Sequence, residues 1–221
     1  LQESWDNAGL QVGLTEAEVS GALLCLDVTE RIVDEAAQKG CNLIVSHHPL
    51  IFRKLSRLTG EDYVQRCVMK ALAQGIVILS LHTNMDNAKG GVNYKIAEKM
   101  GLEDVHFMSA KQMDGVEYGS GVVGSFAEPL AADDFVIMLK RVFGVECVQT
   151  NELLRRPIRT VAICGGSGSF LLARPASERQ PAGSLRCRPR CAPHVSSSLQ
   201  SRLQGPAPQE ATRRAMRASR R

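Results

Sequence analysis

Three short apolar runs, Ala22 to Asp27, Asn42 to Ser46 and Ile76 to Ser80, are separated by amphipathic stretches, and this rhythm leaves little choice of architecture. Buried runs alternating with a helical period are satisfied by a largely parallel sheet with helices laid over it. Thr29 is placed to cap a helix over Glu30 to Lys39, with Ile32, Val33, Ala36 and Ala37 on one face and Gly40 as the stop. Glu61 to Gln74 has the same period, with Val64, Cys67, Val68, Ala71 and Leu72 inward and Gly75 at its end. The order is strand, helix, strand, loop, helix, strand. A loop from Leu81 to Gly91 follows, then a helix from Val92 to Met100 closed by Gly101.

The character changes after Met113. Glu117 to Phe126 reads as a Gly-rich strand, Ala131 to Phe143 as a helix, and Val145 to Gln149 and Thr160 to Cys164 as short strands. The expected fold is therefore α/β: residues 1–112 form a domain with a mostly parallel sheet covered by helices, and 113–168 form a second, smaller α/β unit. Charge marks a third segment. Leu1 to Gly168 carries 16 Lys and Arg against 21 Asp and Glu, whereas Ser169 to Arg221 carries 11 Arg, no Lys and two acids, with six of the nine prolines. Such a composition cannot offset the entropy of ordering, so 169–221 is expected to be a disordered Arg/Pro-rich tail. Its break with the body suggests a fused segment, a shifted reading frame or alternative splicing. A cationic tail binds nucleic acid non-specifically through phosphates, and with no aromatic residue after Phe170 nothing in it stacks on bases.

No run of about 18 apolar residues is present, so no membrane helix is expected. The seven cysteines, most of them isolated in apolar runs, give no disulfide framework and fit a reducing interior. The chain opens at Leu1 without Met or a signal pattern, and reads as an intracellular, cytoplasmic protein lacking its natural start.

The chemistry concentrates at strand ends. Ser46-His47-His48-Pro49 follows an apolar strand directly, and where the chain turns at Pro49 both imidazoles can face the crevice in which open α/β sheets bind ligands. Imidazole is a common transition-metal ligand; the alternative is a solvated pair at a loop start. A second loop, His82 to Gly91, follows the next strand. Loops after consecutive parallel strands lie side by side, so His47, His48 and Asp86 can meet as metal ligands. His82 is a ligand or a second-layer residue that orients Asp86 or a bound water. The competing reading makes Asp86-Asn87 a turn that caps the next helix.

Trp5-Asp6-Asn7-Ala8-Gly9-Leu10, Ser46-His47-His48-Pro49 and His82-Thr83-Asn84-Met85-Asp86, in this order, resemble the NIF-three-like family, also known as type 2 GTP cyclohydrolase I proteins. The resemblance implies a two-part α/β fold, a homo-oligomer, and a dinuclear site of divalent zinc, manganese or iron. It puts His47, His48 and Asp86 among the ligands. It further implies metal-assisted hydrolysis, with a purine ring carbon as the centre attacked under the cyclohydrolase label; the alternative it implies is a non-catalytic transcriptional cofactor, with a transcription-regulator partner and a nuclear location. Asp6 and Asn7 resemble family residues near the site, and an N-terminal turn with Trp5 as a core anchor explains them equally. Family members continue past the loop matched by Gly165-Gly166-Ser167-Gly168 into a further half that supplies a His and a Glu. Here the Arg/Pro tail stands in its place, and His194 has no Glu four residues later. At most one weakly held metal is expected, and impaired activity with it. Strands near Val145 to Cys164 are left an unpaired edge, so poor solubility is expected.

Other features read blandly. Gly165 to Gly168 lacks the Lys and spacing of a phosphate-binding loop and suits a simple turn. Cys187, Cys191 and His194 are too few for a zinc site, and Cys25 and Cys164 read as structural thiols.

Overall fold

Burial of the central apolar runs organises the first of two units in the computed structural model, which describes residues 1–148, 150, 153 and 155–166. This unit, Leu1–Ala88, contains β1 (Gly9–Val12), β2 (Ala22–Cys25), α1 (Glu30–Gln38), β3 (Leu43–Ser46), α2 (Tyr63–Ala73), β4 (Val77–Ser80) and the one-turn helix α3 (Thr83–Asp86). The sheet order is β1-β4-β3-β2, with β2, β3 and β4 parallel and β1 antiparallel on β4. The expected α/β fold is what forms.

Side chains alternate across β3 and β4, so Ile44 and Ile78, which are register partners, turn to the same face and lose all exposure. There they join Val33 and Ala36 of α1 and Cys67, Val68 and Ala71 of α2. Each fully buried Ile or Val contributes roughly 1.5–3 kcal/mol. Both helices start as their sequences dictate: the Thr29 and Asp62 side chains accept from the third residue on, Ile32 N and Gln65 N. Leu72, expected inward on α2, is exposed, and Gln65 takes a buried place with its Oε1 accepting from Thr59 N and Gly60 N.

The second unit begins at Lys89 and contains α4 (Val92–Met100), β5 (Glu103–Met113), β6 (Val116–Leu130), α5 (Ala132–Phe143) and β7 (Ile158–Ile163). Its sheet, β5-β6-β7, is antiparallel throughout. Phe107, Val122, Phe126, Ile158, Val161 and Ile163 pack with Ala97 and Met100 of α4 and Phe135 of α5. Asn93, buried on α4, accepts from Gly165 N at 2.7 Å, which fixes a simple turn at Gly165 and Gly166.

Several expectations are corrected. The division falls after Ala88 rather than at 112–113, because β5 and β6 are the arms of one hairpin and cannot be parted. Neither β1 nor β5 was expected, since neither shows sustained alternation. Val145 to Val148 form no strand: Gly144 ends α5 in a left-handed conformation and Val145 N returns to Lys140 O. Trp5 is no core anchor, being 61% exposed. Cys25 and Cys164 are half-buried, and Cys147 is exposed. Ser167, Gly168, the tail 169–221 and the Cys187, Cys191 and His194 cluster lie outside the described residues. Among the described residues no helix is long and apolar enough to cross a membrane.

Gly119 pairs with Ala110, and a Cβ on it would meet Ser109 O at 2.2 Å and Ser109 C at 2.9 Å. The obstacle is backbone, so β5 and β6 must separate to admit it. Gly119→Ala is expected to lower stability by about 1–3 kcal/mol, measured by chemical denaturation, and an unchanged midpoint would contradict this register.

Candidate metal centre

Parallel register builds the site. Cys25, Ser46 and Ser80 are partners across β2, β3 and β4, and two residues beyond each come Asp27, His48 and His82. The pairing outlasts the strands: His47 N donates to Cys25 O at 3.2 Å, His48 N to Leu26 O at 3.0 Å and Leu81 N to Ser46 O at 2.8 Å. Ser46 and Ser80, both buried, form the floor. Their hydroxyls lie 2.8 Å apart, and Ser46 Oγ donates to His48 O at 2.9 Å, which fixes the turn carrying the histidine pair.

Above this floor the rings of His47, His48 and His82 stand with centroids 4.8, 5.3 and 5.7 Å apart. Each is held through Nδ1. His47 Nδ1 donates to Leu81 O at 3.0 Å, His48 Nδ1 to Asp27 Oδ1 at 2.7 Å and His82 Nδ1 to Asp6 Oδ1 at 2.7 Å. Carbonyl and carboxylate oxygens only accept, so the proton of each neutral ring belongs on Nδ1 and the lone pair on Nε2. The three rings offer one ligand atom each within 4.8 Å of one another. Ligands on one ion with bonds of about 2.0–2.1 Å stand at most about 4.2 Å apart, so rings at the full spread must draw together slightly to share an ion.

The carboxylates divide the work. Asp6 is buried and accepts from Thr83 N at 3.1 Å, from the Thr83 hydroxyl and from Asn7 N at 2.8 Å as well as from His82. Burial alone would raise its pKa, but the His82 and Thr83 hydrogen bonds outweigh that and hold it below its ordinary 3.8. Asp86, at the end of α3, is pushed above 3.8 by burial, against the opposing pull of His47, His82 and His48. Burial lowers His47 below its ordinary 6.5, with Asp86 opposing. Neutral His47 is the form that ligates. Beneath the site burial pushes the Cys25 thiol up to about 12, helped by Asp27, so it stays protonated.

The structure thus brings His47 and His48 together as the sequence predicts, and places His82, read there as ligand or second-layer residue, as the third ring. Asp86 lies within electrostatic reach of all three but outside the set whose ligand atoms converge within 4.8 Å. The capping alternative for Asp86-Asn87 does not form, since Gly91 is the N-cap of α4 and no side chain caps it. Asp27 escaped the sequence reading, although register would have found it: it follows Cys25 by the same two residues as His48 follows Ser46. Nothing local ties Asp6 to His82, 76 residues away.

Residues 1–179 match the family described as Duf34/NIF3 (NGG1p interacting factor 3). The chain belongs to the Duf34/NIF3 family. It is 34% identical over 168 residues to a Clostridium perfringens protein named "GTP cyclohydrolase 1 type 2 homolog", covering 76% of this chain and 64% of that one. A Staphylococcus aureus relative of the same name is 41% identical over 110 residues, 50% of this chain and 30% of its own length. The chain therefore spans under two thirds of these Duf34/NIF3 relatives. Among solved structures, a Staphylococcus aureus hypothetical protein is 31% identical with a TM-score of 0.67, covering 75% of this chain and 66% of that one. A Bacillus cereus protein related to NIF3, 23% identical, shares the fold with a TM-score of 0.71 over 90% of this chain and 81% of that one.

A histidine whose folded pKa is depressed takes up fewer protons than its unfolded counterpart at and below 6.5, so stability falls as the pH drops through that value. In chelator-treated protein, His47→Gln is expected to flatten the pH dependence of the melting temperature on the acid side of 6.5. An unaltered slope would show that His47 is not the group responsible.

Proposed function

We propose that this cluster binds a divalent metal, with His47, His48 and His82 as nitrogen ligands and Asp86 as the neighbouring carboxylate, and that the bound ion serves hydrolysis. One observation carries the reading: three imidazoles from two strand-end loops, each anchored at Nδ1 by a different acceptor, bring one ligand atom apiece within 4.8 Å of one another. Nitrogen ligands with one carboxylate suit zinc, manganese or iron, in agreement with the chemistry of the donor set. When bound, such an ion supplies Lewis acidity toward a carbonyl or phosphoryl oxygen. The chain's own residues do the positioning. Asp27, Asp6 and the Leu81 carbonyl set the ring orientations, and Asp86 offers negative charge to the cation.

We propose one ion per chain. The further His and Glu implied by the resemblance to a dinuclear site have no counterpart among the described residues. The cyclohydrolase name belongs to the relatives and makes ring-opening hydrolysis of a purine the first reaction class to assay. The alternative role as a transcriptional cofactor rests on the family name alone and is carried no further.

Protein purified without chelators is expected to carry about one ion per chain by elemental mass spectrometry, and His47→Ala/His48→Ala to carry none. Asp6→Asn leaves the three ligands in place but removes the charge that orients His82. It should weaken metal binding by about 10–100-fold. Equal metal content in the native protein and the double variant would falsify the reading.

A further inference from the structure

His82 of the imidazole cluster also meets two aromatic rings that the core does not use. Trp5 and Phe52 are 61% and 55% exposed, although neither ring gains much by standing in water. Their centroids are 6.3 Å apart at a tilt of 60°. Each meets His82 nearly at a right angle, Trp5 at 6.3 Å and 83° and Phe52 at 6.4 Å and 86°. The three rings make an almost equilateral corner, with His82 shared between the metal cluster and the aromatic pair.

The corner is braced. Asn7 Nδ2 donates to Ile51 O, Gln11 Oε1 accepts from Ile51 N at 3.1 Å, and Gln11 Nε2 donates to Asn7 O at 2.6 Å. The residues next to Phe52 and two beyond Trp5 are therefore tied into one hydrogen-bonded strap. On the other side Asp6, adjacent to Trp5, is locked to Thr83 and His82. Two exposed rings held by fixed backbone lose little entropy on binding, which is the preorganisation a recognition site needs. Arg53, Lys54 and Arg57 follow Phe52, are exposed, and form no ion pair among the described residues.

We infer that Trp5 and Phe52 form an aromatic platform on which a planar heteroaromatic ring stacks against one face and meets the other ring edge-on, and which so positions a substrate against the imidazole cluster. This rests on the reading of that cluster as the reacting centre, and it names the class of molecule presented to it: a flat heteroaromatic ring compound. Trp5 and Phe52 are positioning residues. Aromatic faces attract planar rings through offset stacking, and saturated rings of equal charge gain no such contact.

Trp5 is the one tryptophan of the sequence, so its fluorescence reports the site directly. The full-length chain is titrated with adenosine 5′-monophosphate, excited where purines do not absorb, and with ribose 5-phosphate as the ring-free control of equal charge. The expected result is saturable quenching by the nucleotide and none by the sugar phosphate, weakened about tenfold in Phe52→Ala and Phe52→Leu and retained in Phe52→Tyr. Circular dichroism of each variant shows whether the fold is kept, which exposed Phe52 should not disturb. No saturable quenching, equal effects of the two probes, or indifference to Phe52→Ala would overturn the platform. Metal content is read on the same samples. Metal without quenching removes the platform alone, and quenching without metal removes the metal reading alone.

Discussion

Everything at the candidate site depends on the parallel pairing of β3 between β2 and β4. A parallel ladder puts the carboxyl ends of neighbouring strands side by side, and here the ladder is in register to the last residue of each strand. Ile44 and Ile78 secure that register by burying completely against α1 and α2. A slip by one residue would turn both outward and would turn the Ser46 and Ser80 floor, with the histidines beyond it, to the wrong face. The hydrophobic core and the imidazole cluster are consequences of the same alignment.

Much of this was legible because the signals were local. Thr29 caps its helix where the residue type says it should, and Gly101 closes α4 in the left-handed conformation that its position requires. His47 and His48 stood out because a polar pair directly after a buried apolar run has few structural uses. What stayed hidden was non-local. β1 joins β4 across more than sixty residues, and β5 has its apolar side chains too sparsely placed to show a period. Trp5 looked like a core anchor because indole is usually buried, and it is exposed because its neighbour Asp6, not Trp5 itself, is the residue drawn inward by His82 and Thr83.

The second unit follows a different logic. Its antiparallel sheet rests on a hairpin in which β6 carries glycines where β5 comes closest, so the approach of two backbones rather than side-chain packing sets its geometry. α4 then serves this sheet through Asn93, whose buried carbonyl oxygen holds Gly165. A buried amide with a partner is stable and directional, whereas an apolar residue there would leave the Gly165 amide unmatched.

Charge is the remaining constraint on the site. Asp86 is half-buried within electrostatic reach of His47, His82 and His48, with Asp6 adding a repulsive charge. Its anion therefore needs a positive partner, either a proton on one of the rings or a cation shared among them. Burial pushes His47 toward its neutral form, so a ring proton is a costly partner. A divalent ion at the proposed site would supply the charge without that cost, on rings that the Nδ1 hydrogen bonds already orient. Ion and proton would then compete at the site, so metal affinity would fall as the pH drops. The outward hydrogen bonds to Asp6 and Asp27 would prepare the rings for such an ion, because each fixes the tautomer and the orientation of its ring.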